Sequence, residues 1–96
     1  MLFALICFDN KDVSALRAEV RPKHLAYIEK HKAHVKVAGP FLSDDGDTMV
    51  GSLIIIEADD IEAARAFAQY DPYNEAGVFA EVDVRPWRWI VGAPKG

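Results

Sequence analysis

Ninety-six residues, 51% of them apolar and 27% charged, fill one folded domain spanning 1–96 and leave no room for a second. Fifteen acidic side chains against eleven basic ones give a net charge of -4, which excludes a surface built to neutralise phosphates, so no nucleic acid is expected as a partner. No apolar run approaches the ~20 residues of a membrane span, and Met1 leads into Leu2-Phe3-Ala4-Leu5-Ile6 without the basic start of a secretory signal; the expected location is the cytoplasm, with no membrane partner.

In chain order, Leu2 to Phe8 is continuously apolar and stops at Asp9-Asn10-Lys11-Asp12, which predicts a strand buried on both faces. The lone cysteine, Cys7, lies inside it and reads as a small buried hydrophobe in preference to a nucleophile. Asp12 is expected to cap a short helix through Glu19, broken at Val20-Arg21 because Pro22 follows. A second helix is expected from Pro22 to about His34, with Leu25, Ile28 and Val35 on one side and Lys23, Glu29, Lys30 and Lys32 on the other. Two strands, Val35–Leu42 and Met49–Glu57, flank Asp44-Asp45-Gly46-Asp47, an antiparallel hairpin signal. Asp59 and Glu62 form a capping box for a third helix that ends by Asp71-Pro72. The last strand alternates Val78, Ala80, Val82, Val84 against Glu81, Asp83, Arg85, and Pro86 is expected to bend it out of the sheet.

This order predicts an α+β ferredoxin-like sandwich, a four-stranded antiparallel sheet with its helices on one face. Helices on one face call for alternating strands, yet the first and third strands are apolar at consecutive positions. A second copy of the sheet over the open face resolves the conflict, so a homodimer is expected, with Trp87 and Trp89 packing its seam.

Two clusters have chemical potential: Arg21-Pro22-Lys23-His24-Leu25 and Asp71-Pro72-Tyr73. A His-Asp pair in an apolar cleft is a general acid/base device, because imidazole titrates near neutral pH and a carboxylate orients it. From spacing alone His24 also reads as a surface or helix-capping histidine, and Asp71 as the cap of the turn that Pro72 starts. His31 and His34 are three apart on a helix but lack a suitably placed carboxylate or thiolate, so no metal is expected. Arg85 reads as a solvated cross-strand partner of Glu81 and Asp83. Gly39-Pro40 and Gly51-Ser52 interrupt two strands, where a glycine admits a ligand, another backbone or a plain bulge. An RNA-binding sheet would need exposed aromatics and a basic surface, and the sequence has neither signal.

Arg21-Pro22-Lys23-His24-Leu25, Ala38-Gly39-Pro40 followed by Gly51-Ser52, and Asp71-Pro72-Tyr73 followed by Ala76-Gly77-Val78-Phe79 occur in an order that resembles the YciI-like family over nearly the whole chain. The resemblance implies a dimeric α/β barrel and an active site with His24 and Asp71 as the acid/base pair and Arg21 and Ser52 beside it. One branch of that family is similar to a dehydrochlorinase of chlorinated hydroxyhydroquinone. The expected function is therefore cofactor-independent isomerisation or HX elimination on a small cyclic or aromatic substrate. Arg21, Ser52 and Gly39 would bind that small molecule, and Tyr73 and Phe79 would wall it. The alternative is a non-catalytic dimeric ligand-binding or accessory module using the same cleft.

Overall fold

A computed structural model describes residues 1–94. Its elements are β1 (Leu2–Asp9), α1 (Ser14–Lys30), β2 (Val35–Leu42), β3 (Met49–Glu57), α2 (Ile61–Gln69), the short α3 (Pro72–Glu75) and β4 (Phe79–Trp87). The strands form one antiparallel sheet in the order β2-β3-β1-β4, with β1 and β3 central and β2 and β4 at the edges. This is the expected ferredoxin-like arrangement, with α1 and α2 on one face.

The core lies between that face and the helices. Phe3, Leu5 and Cys7 of β1 meet Ile54 and Ile56 of β3, and Val20, Ala64, Ala68 and Tyr73 close over them. Side chains of alternate parity, among them Ala4, Ile6 and Phe8, point to the face that no helix of the chain covers. Phe8 is 48% exposed there and stacks on Phe41 across Gly51, their ring centroids 6.1 Å apart. Gly51 leaves space at a crowded point, because a Cβ on it would collide with the Cys7 carbonyl oxygen. Of the readings open for this glycine, close approach of another backbone is the one observed.

The expected helix pair is a single helix, with Pro22 in its interior. An interior proline removes one hydrogen bond and costs roughly 3 kcal/mol in an isolated helix. Here the helix is held on both sides of the proline, because Arg17, Val20 and His24 are buried on one continuous face. His24 therefore lies in the middle of α1, not in the first turn of a separate helix. Asp12 does not cap: it sits in the left-handed region at φ 59°, and Val13 occupies the N-cap without a side-chain bond. The helix ends at Lys30, short of His34, whose carbonyl instead accepts from Glu57 N at 2.8 Å.

Asp60, not Asp59, caps α2, accepting from Ala63 N at 2.8 Å. Pro86 does not bend β4, since the ladder runs regularly through Phe3↔Pro86 and Leu2↔Trp87. An edge strand has an unpaired side on which a missing N–H is harmless. The irregularity lies at the other end, between Phe8 and Asp9, and it turns Phe79 inward and leaves Ala80 exposed.

Candidate active site

Two helices, α1 and α3, and two strands, β1 and β3, converge at one point. Asp71 follows α2 and is the N-cap of α3: its Oδ1 accepts from Tyr73 N at 2.9 Å, with Pro72 at the first helical position. The same Oδ1 lies 2.9 Å from Nδ1 of His24. Asp71 is 1% exposed and His24 9%, so the pair interacts away from water. The two readings of Asp71 are thus both realised, as cap and as histidine partner. The bond takes Nδ1 and leaves Nε2 as the free ring nitrogen.

Tyr73, held by α3, lies against His24 with ring centroids 4.0 Å apart and planes at 16°. Arg17 lies over the same ring, its Cζ 4.5 Å from the centroid. Seven helical residues separate Arg17 from His24, about 10 Å along the axis, so the Tyr73 ring fits between them. Arg17 is 5% exposed, a placement that a permanent cation tolerates only when fully paired. Its Nε donates to Asp9 Oδ2 at 2.9 Å, and its Nη2 donates to Gly51 O and Ser52 Oγ, both at 2.6 Å.

The cleft beside this cluster has a volume of about 320 Å³ and includes His24, Arg21, Ser52, Gly39, Pro40 and Tyr73 in its walls. A second lobe of about 330 Å³ shares Arg17, Arg21, Met49 and Tyr73 with it and is bounded by Asp47 and Thr48. Larger grooves of about 590 and 730 Å³ lie elsewhere, and neither includes His24 or Asp71. Of the expected site residues, the structure brings His24, Asp71, Arg21, Ser52, Gly39 and Tyr73 together. Phe79 is not in the cleft wall: it packs behind Tyr73, edge to face at 5.7 Å. Arg21 pairs with no carboxylate among the described residues. His31 and His34 line the separate 590 Å³ groove. Among the described residues no three His, Cys, Asp or Glu side chains group so as to hold a metal ion.

Arg17 and Asp9 were not legible as site residues from the sequence. The signal was the spacing 17, 20, 24 on one helical face, visible only if the helix runs through Pro22.

Burial, with the Asp71 and Asp9 carboxylates adding to it, pushes the Cys7 thiol up from about 9 to about 12. Burial likewise pushes the Tyr27 phenol up from about 10 to about 12, with Asp71 and Glu75 adding to it. Burial also raises the Tyr73 phenol, against the pull of Arg17 and Arg21. For Cys7 and Tyr27 the folded value exceeds the unfolded one. Their contribution to stability is therefore complete below about pH 9 and is lost as pH rises towards 12. The urea midpoint is expected to fall over that window, and to fall less in Cys7→Ala than in the wild type. Equal losses in the two proteins would remove Cys7 from the account.

The YCII-related domain family matches residues 1–88, and the chain belongs to that family. It is 35% identical to the protein YciI of Escherichia coli O6:H1 over 94% of this chain and 99% of that one. It is 32% identical to an uncharacterized protein of Haemophilus influenzae, with 94% of this chain and 99% of that protein covered. The fold is similar to that of 5-chloro-2-hydroxyhydroquinone dehydrochlorinase from Burkholderia phenoliruptrix, solved with 2,5-dihydroxybenzoquinone. The TM-score is 0.83 and the identity 35%, over 92% of this chain and 94% of that one.

Proposed function

We infer that the protein is a cofactor-independent acid/base enzyme acting on a small cyclic or aromatic substrate in the cytoplasm. The observation that carries this reading is the His24 Nδ1 to Asp71 Oδ1 contact of 2.9 Å at the wall of the Arg21-bearing cleft. Nε2 of His24 takes a proton from a ring carbon or returns one, and Asp71 orients the imidazole and balances its charge. In an elimination the C–H and C–X bonds break, a C=C bond forms, the proton goes to His24 and X leaves as halide. In an isomerisation the same nitrogen returns the proton at another carbon.

Arg21, which pairs with no carboxylate among the described residues and lies at the junction of the two lobes, binds an oxygen that becomes or is already anionic. Ser52 adds a hydrogen bond: its Oγ already accepts from Arg17, so its own proton is available to donate. The quinone held by the dehydrochlorinase neighbour supports a substrate class of phenols, quinones and their ring-opened or lactone relatives.

A screen of such substrates, run with wild type and His24→Ala, tests the assignment. Turnover that His24→Ala retains in full refutes it. Tight binding with no turnover anywhere favours the non-catalytic ligand-binding module instead.

The uncovered sheet face supports a homodimer. Phe8 and Val37 are exposed on that face and Ile6, Phe41 and Leu53 are half-buried on it, a patch of the kind that a second copy buries. Light scattering at micromolar concentration is expected to return twice the chain mass, and Phe8→Glu to return the single mass. A monomeric wild type refutes the dimer.

A further inference from the structure

We propose that Arg17 is a positioning residue that sets the tilt of the His24 ring through Tyr73 and fixes Ser52 as a hydrogen-bond donor. The proposal rests on the acid/base reading of His24 but concerns Arg17 and Ser52, which stand outside the His-Asp pair.

Three observations converge on Arg17. Its bonds tie four elements at one point: α1 by its own backbone, β1 through Asp9, β3 through Gly51 and Ser52, and α3 through the Tyr73 ring. Its guanidinium, having no acceptor, forces the Ser52 hydroxyl into the acceptor role towards it, so the hydroxyl proton is turned elsewhere. And the Tyr73 ring, with Arg17 over it, is the surface on which the His24 ring lies at 4.0 Å. A planar fork can bond Asp9 and Ser52 while lying flat over an aromatic ring, whereas an ammonium is a point charge without a plane. Lysine should therefore keep the charge and lose the alignment.

The observable is the ring current of Tyr73, which displaces the His24 ring-proton NMR signals upfield. Spectra of wild type, Arg17→Lys, Arg17→Met and Ser52→Ala are compared at one pH, with circular dichroism confirming the fold. Arg17→Lys and Arg17→Met are expected to lose most of the displacement. Ser52→Ala, which keeps the charge and removes one anchor, is expected to lose a smaller part. A folded Arg17→Lys protein with unchanged His24 signals overturns the proposal. Should both Arg17 variants fail to fold, unchanged signals in Ser52→Ala overturn it equally. The spectra need no substrate, so this result is independent of the turnover screen by which the acid/base reading stands or falls.

Discussion

His24→Ala is expected to lower turnover of any accepted substrate by about 10²- to 10⁴-fold, the range associated with losing one positioned acid/base group. The fall should appear in kcat, because the imidazole acts on the proton in flight, while Arg21 and the other cleft walls still bind the ring. Arg21→Ala should show the opposite split, with a raised KM and a smaller change in kcat if its oxygen is already anionic in the bound substrate. Steady-state kinetics on both variants separates the two roles. A His24→Ala enzyme that loses only affinity would make the histidine a binding group.

Asp71→Ala is expected to destabilise the fold by several kcal/mol, at about 1–3 kcal/mol for each buried donor left without its acceptor. Two groups lose their acceptor at once, His24 Nδ1 and Tyr73 N, and the second of these starts α3. Asp71→Asn is expected to cost much less, because an amide oxygen at the same position still accepts from both donors. Its turnover should nevertheless fall steeply, since the negative charge that balances an imidazolium is gone. Urea unfolding together with kinetics on the two variants distinguishes the cap from the charge. Equal destabilisation by Ala and Asn would show that the charge, not the acceptor geometry, holds Asp71 in place.

Much of the fold was legible because it rests on hydrophobic periodicity. Consecutive apolar residues predicted the strands β1 and β3, which lie at the centre of the sheet, and the Asp-Gly pair predicted the hairpin, where Gly46 does take φ +80°. Local signals were less dependable where tertiary packing overrode them. Pro22 reads as a helix start in isolation, but burial of Arg17 and His24 on either side carries the helix through it. Pro86 reads as a bend, but a strand at the sheet's edge tolerates it. His24 and Asp71 stood out as separate clusters, but only the family resemblance joined them into one site, because a spacing of 47 residues cannot by itself bring together groups from α1 and the α2–α3 turn. Arg17 was hidden by the misread helix, as its burial depends on partners from three other elements.

The cleft also has an unequal pair of walls. One side is α1, anchored by buried side chains; the other is β2, an outer strand whose residues are nearly all exposed and whose ladder bonds run to β3 alone. Amide protons on such a strand exchange by local opening, at a free energy below that of global unfolding. A ligand that spans from His24 to Gly39 and Pro40 would add its binding energy to that local equilibrium. Occupancy of the cleft and closure of the β2 edge are then one thermodynamic event, recorded in the exchange rates of a strand that holds none of the acid/base groups.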